Sequence, residues 1–279
     1  SQLGRTKLTE QNSPLPRDRF FFDYSLFHNT TISDPSIDVQ RFAPGIEKTF
    51  LNRLCSVEMR VPMGVTLSSS QILGGLQSED TELGNIAFAF KGLLLSRNNF
   101  ALAAGLGVQT PTAQDNVILN PTDGSEALRV ANNQARILPY IATLHSHGDW
   151  FWQNYVQVDA AANGNEVFSG GQKVGVLQQQ NYIYVDSSLS RWIYRDFRSQ
   201  RGLALTGELH YNRTVGTSDS FSTFPFVLGN PEFQAEVINL TFGSTYVIGK
   251  TTVTAAYGTP VTDDRGFDGE FRVLLNRFF

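Results

Sequence analysis

The chain has 279 residues, a formal net charge of −4 and one cysteine, Cys55. That balance excludes a broad basic surface for nucleic acid, and a lone cysteine excludes an internal disulfide framework. Charged residues make up 17% of the chain and phenylalanine is frequent at 21 residues, whereas soluble domains carry about a quarter charged residues. No stretch approaches the roughly 18 apolar residues of a membrane-spanning helix.

Residues 1–19 contain Pro14 and Pro16 and no periodic pattern, so they are expected to form an extension ahead of the patterned chain. From residue 20 onward, alternation with a period of two dominates, as in β-strands. Twelve runs follow in order: 20–28, 37–51, 54–66, 83–95, 99–110, 134–147, 150–161, 182–195, 201–213, 236–248, 251–260 and 268–279. Most are longer than the about 5–6 residues of an average globular strand and match the about 9–11 that a membrane-spanning strand needs.

The connections sort by length. Short ones (52–53, 96–98, 147–149, 196–200 and 249–250) alternate strictly with longer ones such as 67–82, 111–133, 162–181 and 214–235. An up-and-down antiparallel barrel in a bacterial outer membrane has this asymmetry, with short periplasmic turns and long outer loops. The strand faces agree. Ile86, Phe88, Phe90 and Leu94 alternate with Ala87, Ala89 and Lys91, and Leu203, Leu205, Leu209 and Tyr211 alternate with Thr206, Glu208, His210 and Asn212. One face is apolar and the other is small, polar or charged. Aromatic residues are expected in two belts at the membrane interfaces. One belt lies beside the short turns (Phe20, Phe22, Phe50, Phe100, Trp150, Trp152, Trp192, Tyr194 and Phe279), and one lies toward the long loops (Tyr182, Tyr211 and Tyr257).

The fold expected is therefore all-β: an up-and-down antiparallel transmembrane β-barrel of about twelve strands over 20–279, with 1–19 as a periplasmic extension that tethers or plugs it. An even strand count puts both termini on the periplasmic side. The ending "FRVLLNRFF" places Phe271, Val273, Leu275 and Phe279 on the lipid face, and it resembles the C-terminal signal read by the barrel-assembly machinery. Arg277 departs from that signal, because it occupies a lipid-side position.

The segment "LGNIAFAFKGLLLSRNNFALAAGLGVQTPTAQD" carries Leu83-Gly84-Asn85, Lys91-Gly92, Gly105, Gly107 and Pro111-Thr112. In this it resembles the family associated with the meta-pathway of phenol degradation, which is related to long-chain fatty-acid transporters. Asn85 stands where that family usually has an acidic residue. The resemblance covers two strands well, and implies an outer-membrane barrel with an uptake role.

Catalytic and metal chemistry find little support. "HSHGD" at 145–149 puts His145 and His147 on one strand face near Asp149, but two histidines without a third spaced ligand read as a polar turn rather than a zinc site. No nucleophile elbow is present, so no enzyme activity, cofactor or metal is expected. The inward parity instead collects Glu58, Arg60, Lys91, Arg136, Asp159, Asp186, Glu208, His210 and Arg272 as pore-lining residues. They would form either a hydrated pore that orients a polar solute or a salt-bridged plug.

The reading is an outer-membrane porin for passive uptake of small solutes. Its rival is a closed structural barrel that anchors or joins a larger envelope assembly. A soluble β-sandwich that binds a ligand comes third. Lipid, a small-molecule solute and the assembly machinery are the expected partners, and no nucleic acid is. The apolar loop 214–235 offers a surface for self-association or an envelope protein.

Overall fold

Alternating apolar and polar residues along a strand leave two unlike faces, and each face needs its own solvent. The structure, a computed structural model, describes residues 13–30, 37–65, 70–72, 81–216, 219–223, 226–228 and 235–279. Twelve antiparallel strands close on themselves. They are β1 (Arg19–Thr30), β2 (Ile37–Phe50), β3 (Cys55–Arg60), β4 (Ala87–Arg97), β5 (Phe100–Gln109) and β6 (Arg136–His147). The second half is β7 (Trp150–Ala161), β8 (Asn181–Asp196), β9 (Arg201–Val215), β10 (Glu236–Ile248), β11 (Thr251–Pro260) and β12 (Gly269–Phe278). Closure comes from β1, which pairs with β2 on one side and with β12 on the other, in register from Arg19↔Phe278 to His28↔Gly269. A closed ladder leaves no open edge, which a sheet in hydrocarbon requires.

Phe88, Phe90, Leu106, Ile137, Ile141, Val156, Leu205 and Leu209 all stand exposed on the outer face. Leaving such a side chain in water forgoes about 1.5–3 kcal/mol each, and the bilayer supplies the missing apolar environment. This outer band and the closed ladder make the molecule a transmembrane β-barrel.

Local breaks have identifiable causes. The wall of β3 is interrupted at Val61–Pro62 and resumes as Met63–Val65, which pairs with β2 and with Thr81–Leu83. Two prolines bracket the break: the Val61 N–H donates to the Pro44 carbonyl (3.0 Å), and the Gly84 N–H donates to that of Pro62 (2.8 Å). Proline has no N–H to give the ladder, so its neighbours keep the wall joined. Inside, Gly105 on β5 faces Tyr140 on β6. A Cβ at Gly105 would sit 2.2 Å from the Tyr140 ring, so glycine there makes room for a phenol within the lumen.

The aromatic belts need two corrections. Tyr182 is buried and stacks on Tyr184 (ring centroids 5.9 Å). It shares its parity with Asp186, so it belongs to the interior and not to the upper belt. Trp192 also points inward. A register shift between Trp192 and Tyr194 turns Tyr194 outward, as β-bulges do. The other lower-belt positions include exposed Phe20, Phe22, Phe50, Trp150 and Trp152. His145 lies outside as well, between the rings of Phe100 (4.6 Å) and Trp152 (5.7 Å).

The described ends of the barrel meet at the short-turn rim. The Phe279 N–H donates to the Asp18 carbonyl (3.2 Å), and the Phe20 and Phe279 rings are 5.0 Å apart. At the opposite end the long loops build a separate five-stranded sheet from residues 70–72, 116–119, 126–130, 165–169 and 172–177. Asn85 ties that layer to the wall: its side-chain oxygen accepts from the N–H groups of Thr112 (3.0 Å) and Ala113 (2.9 Å) and from Asn132 (2.7 Å). In the loop 214–235, residues 217–218, 224–225 and 229–234 lie outside the described residues. Phe221–Thr223 pairs with Phe226–Leu228.

Candidate functional site: the barrel lumen

The nine inward positions read from the sequence separate into three groups. Glu58, Arg60, Lys91, Arg136, Asp159, Asp186 and Arg272 are buried, and Glu208 and His210 are half-buried.

The first group lies on β1–β4 and is larger than the sequence reading held. Glu47 accepts from Arg19 Nε (2.8 Å), Lys91 Nζ (3.0 Å), the Ser56 hydroxyl (2.7 Å) and the Arg17 backbone N–H (3.2 Å). Glu58 takes Arg19 Nη2 (3.2 Å) and Arg60 Nη2 (2.8 Å). Both guanidinium groups lie over the Phe21 ring, at 4.8 and 5.1 Å. The inner ends of three cations thus share two carboxylates in a nearly dry site. Arg19 also reaches across the closing seam to Asn276 (2.8 Å) on β12. The chain ahead of β1 enters this group: the Ser13 carbonyl accepts from Lys91 Nζ (2.8 Å), and Pro14 and Pro16 are buried. Asp18 anchors the segment at the rim. The Thr49 N–H and hydroxyl (both 2.9 Å), together with Lys48, hold its carboxyl below the ordinary carboxylate range. Residues 1–12 lie outside the described residues.

Arg19 and Glu47 were missed in the sequence. Arg19 falls one residue before the first run. Glu47 sits in a strand whose fully buried positions nearer the long loops are Val39 and Ala43, on either side of half-buried Arg41. The outward spacing of Phe42, Ile46 and Phe50 was the signal that would have turned Glu47 inward.

The second group, toward the long loops, is Arg136 on β6 paired with Asp159 on β7. Arg136 also donates to the Gln134 side chain (3.1 Å) and the Gln180 carbonyl (3.0 Å), which fixes its fork. The third group is on β8, β9 and β12. His210 bridges Asp186 (Nδ1–Oδ1 2.6 Å) and Glu208 (Nε2–Oε2 3.2 Å), and Arg272 pairs with Glu270 (2.7 Å). Glu270 is a further inward acid beyond the nine.

Between the first and third groups runs a cavity of about 560 Å³. Its lining changes along the strands. At the short-turn end Phe151, Trp192, Val247 and Phe278 form an apolar collar. Above them come hydroxyls, including Ser190, Thr206, Thr245 and Thr254, and then the shelf of Asp186, Glu208, His210 and Arg272. Ser190 pairs with Thr206 (2.8 Å) and Thr245 with Thr254 (2.7 Å). Arg17 projects into the same space over the Phe278 ring (5.4 Å), and no described carboxylate pairs with its guanidinium. Glu58, Arg60, Lys91, Arg136 and Asp159 do not border this cavity. Only part of the expected charged set faces open space; the rest is locked in pairs.

No protein-family model matches the sequence, and no curated protein does either. Solved structures do match. An outer-membrane channel from Pseudomonas putida F1 aligns over 99% of this chain and 100% of its own, with 14% identity and a TM-score of 0.63. The β domain of the Bordetella autotransporter BrkA aligns over 95% of this chain and 100% of its own, with 12% identity and a TM-score of 0.51. At such identities the likeness is one of fold. The chain has the fold of twelve-stranded outer-membrane β-barrels.

Proposed function

We propose that this protein is an outer-membrane channel for the passive uptake of small solutes. The observation that carries the reading is the cavity of about 560 Å³ inside the closed wall, lined by hydroxyls and by Arg17, whose guanidinium has no described carboxylate partner. A cavity of that size edged by hydroxyls and charged groups can accommodate a small polar solute inside the wall. The similar fold of the Pseudomonas putida F1 outer-membrane channel supports the reading. In it, Asp186, Glu208, His210 and Arg272 line the path, and Glu58, Arg60, Lys91, Arg136 and Asp159 brace its wall. Residues 13–19, the described part of the 1–19 extension, narrow the periplasmic mouth as a small plug, with both termini periplasmic. The chain is not an enzyme. Kinship with the phenol meta-pathway family would rest on Leu83-Gly84, Lys91-Gly92, Gly105, Gly107 and Pro111-Thr112, with Asn85 as the departure. The assembly machinery would read the closing strand, and loop 214–235 would serve any homo-oligomer or envelope partner. The test is single-channel recording of the purified full chain in planar bilayers. Stepwise conductance is expected, and silence at every voltage and salt concentration would overturn the proposal.

A second reading has its own support. Lys91 bonded to the Ser13 carbonyl and Glu47 bonded to the Arg17 N–H tie the segment into the lumen. A barrel sealed in this way would act as an anchor in a larger envelope assembly.

A further inference from the structure

We propose that one arc of the short-turn rim, from β8 through the β8–β9 and β10–β11 turns to β12, binds the phosphate headgroups of anionic phospholipids. The inference begins with Arg191. It stands on the outer face of β8 between Leu189 and Ile193, which are 48% and 54% exposed to the bilayer side. Its guanidinium lies over the Trp150 ring (5.2 Å), and no described carboxylate pairs with it. A lipid-facing guanidinium needs a counter-charge. Its long arm can reach the membrane interface, where headgroups supply one.

The neighbours extend the same chemistry. Arg195 lies over the Phe197 ring (4.7 Å) and touches Asp149 (3.2 Å). Arg198 occupies the β8–β9 turn and Arg201 begins β9. Lys250 and Arg277 continue the arc, since Arg201 pairs with Ile248 and Arg277 with Thr251. All six cations are exposed. Two carboxylates stand among them, Asp149 and Asp196. Asp196 already accepts from the Arg198 N–H (2.9 Å) and the Ser199 hydroxyl (2.6 Å). The arc therefore keeps an excess of positive charge. At the long-loop end of these strands Glu236, Asp263, Asp264 and Asp268 outnumber Arg213 and Arg265, so the charge is polarised along the barrel axis.

Depth and geometry select the occupant. Trp150, Trp152 and Tyr194 are exposed at this level, and such rings settle at headgroup depth. Planar guanidinium forks match phosphate oxygens. The ligand is the phosphate of a phospholipid in the leaflet on the short-turn side, with a net negative headgroup favoured over a zwitterionic one. The inference does not depend on whether the lumen conducts.

The test uses the full chain in mixed micelles with equal phosphatidylglycerol and phosphatidylcholine, and native mass spectrometry counts the lipid retained. The wild type is expected to enrich phosphatidylglycerol. Arg191→Gln with Arg195→Gln should lose about fivefold of that enrichment for each cation removed, whereas the Lys pair at the same sites should keep most of it. Arg97→Gln, away from the arc, should change nothing. Heat-modifiable gel migration checks that each variant folds. Equal retention of both lipids, or unchanged enrichment in the Gln pair, would overturn the proposal. So would displacement of lipid by millimolar inorganic phosphate, or a preference for lipid A over phosphatidylglycerol.

Discussion

The two halves of the lumen solve the same packing problem in opposite ways. On β1–β4 the interior is filled by long charged side chains that satisfy one another: Arg19, Glu47, Glu58, Arg60 and Lys91. On β8–β11 it is lined by short hydroxyls below the shelf of Asp186, Glu208 and His210, and left partly empty. The first half is braced because these five buried charges hold one another, and removing one leaves its partners uncompensated. The second half is tolerant because a Ser or Thr pair is neutral and close to water. A twelve-stranded barrel is too wide for side chains to fill and too narrow to be left fully open, and here the two outcomes sit side by side.

The sharpest way to break the contrast is Glu47→Ala. It strips Arg19 and Lys91 of a shared carboxylate and unties the Arg17 N–H. The expected loss of stability is about 3–5 kcal/mol, read as a lower transition temperature in heat-modifiable gel migration. The matching change on the hydroxyl wall, Thr245→Val with Thr254→Val, removes one neutral hydrogen bond and should cost about 0.5–1.5 kcal/mol. Equal losses at the two sites would mean that the charged half is not the brace.

A second contrast runs through the wall rather than across it. Leu205 faces lipid and Thr206 faces the cavity. Leu209 lies farther from the short-turn rim on the same outer face, and Leu209→Arg should destabilise the inserted barrel by about 2–4 kcal/mol. Thr206→Arg should assemble normally and lower conductance by crowding the cavity. The reverse outcome, assembly blocked by Thr206→Arg alone, would invert the assignment of faces on β9.

These pairs also show what was legible in the sequence. Parity on long, cleanly alternating strands such as β5 and β9 separated the two faces, because Phe and Leu gather on the lipid side. The twelve-strand count followed from twelve period-two runs, and the up-and-down topology from alternating loop lengths. Parity failed where the ladder itself is irregular: the bulge after Trp192 and the apolar buried positions Val39 and Ala43 of β2 both disguise the face. The division of the lumen was not legible at all. Whether Lys91 meets water or Glu47 depends on the register between β2 and β4, which are not adjacent in the chain and are joined only through β3. The loop sheet was hidden for a similar reason, because its strands of three to six residues pair across distant loops.

The smallest expected effect separates the halves by charge rather than by stability. Arg17 is the cation that borders the cavity without a described carboxylate partner, whereas Arg19 beside it is committed to Glu47 and Glu58. Arg17→Glu removes a positive charge from the apolar collar and adds a negative one, leaving the Glu47 contact made by the backbone N–H in place. A charge in a narrow, partly dehydrated passage acts on a passing ion more strongly than one in bulk water. Selectivity should therefore move toward cations, with little change in stability. Added salt should shrink the shift, since screening lengths fall to about 3 Å at 1 M. The measurement is the reversal potential across a salt gradient, at low and high ionic strength. A conducting parent whose selectivity is unmoved by Arg17→Glu would place the ion path away from Phe278 and the collar, and so away from the hydroxyl half altogether.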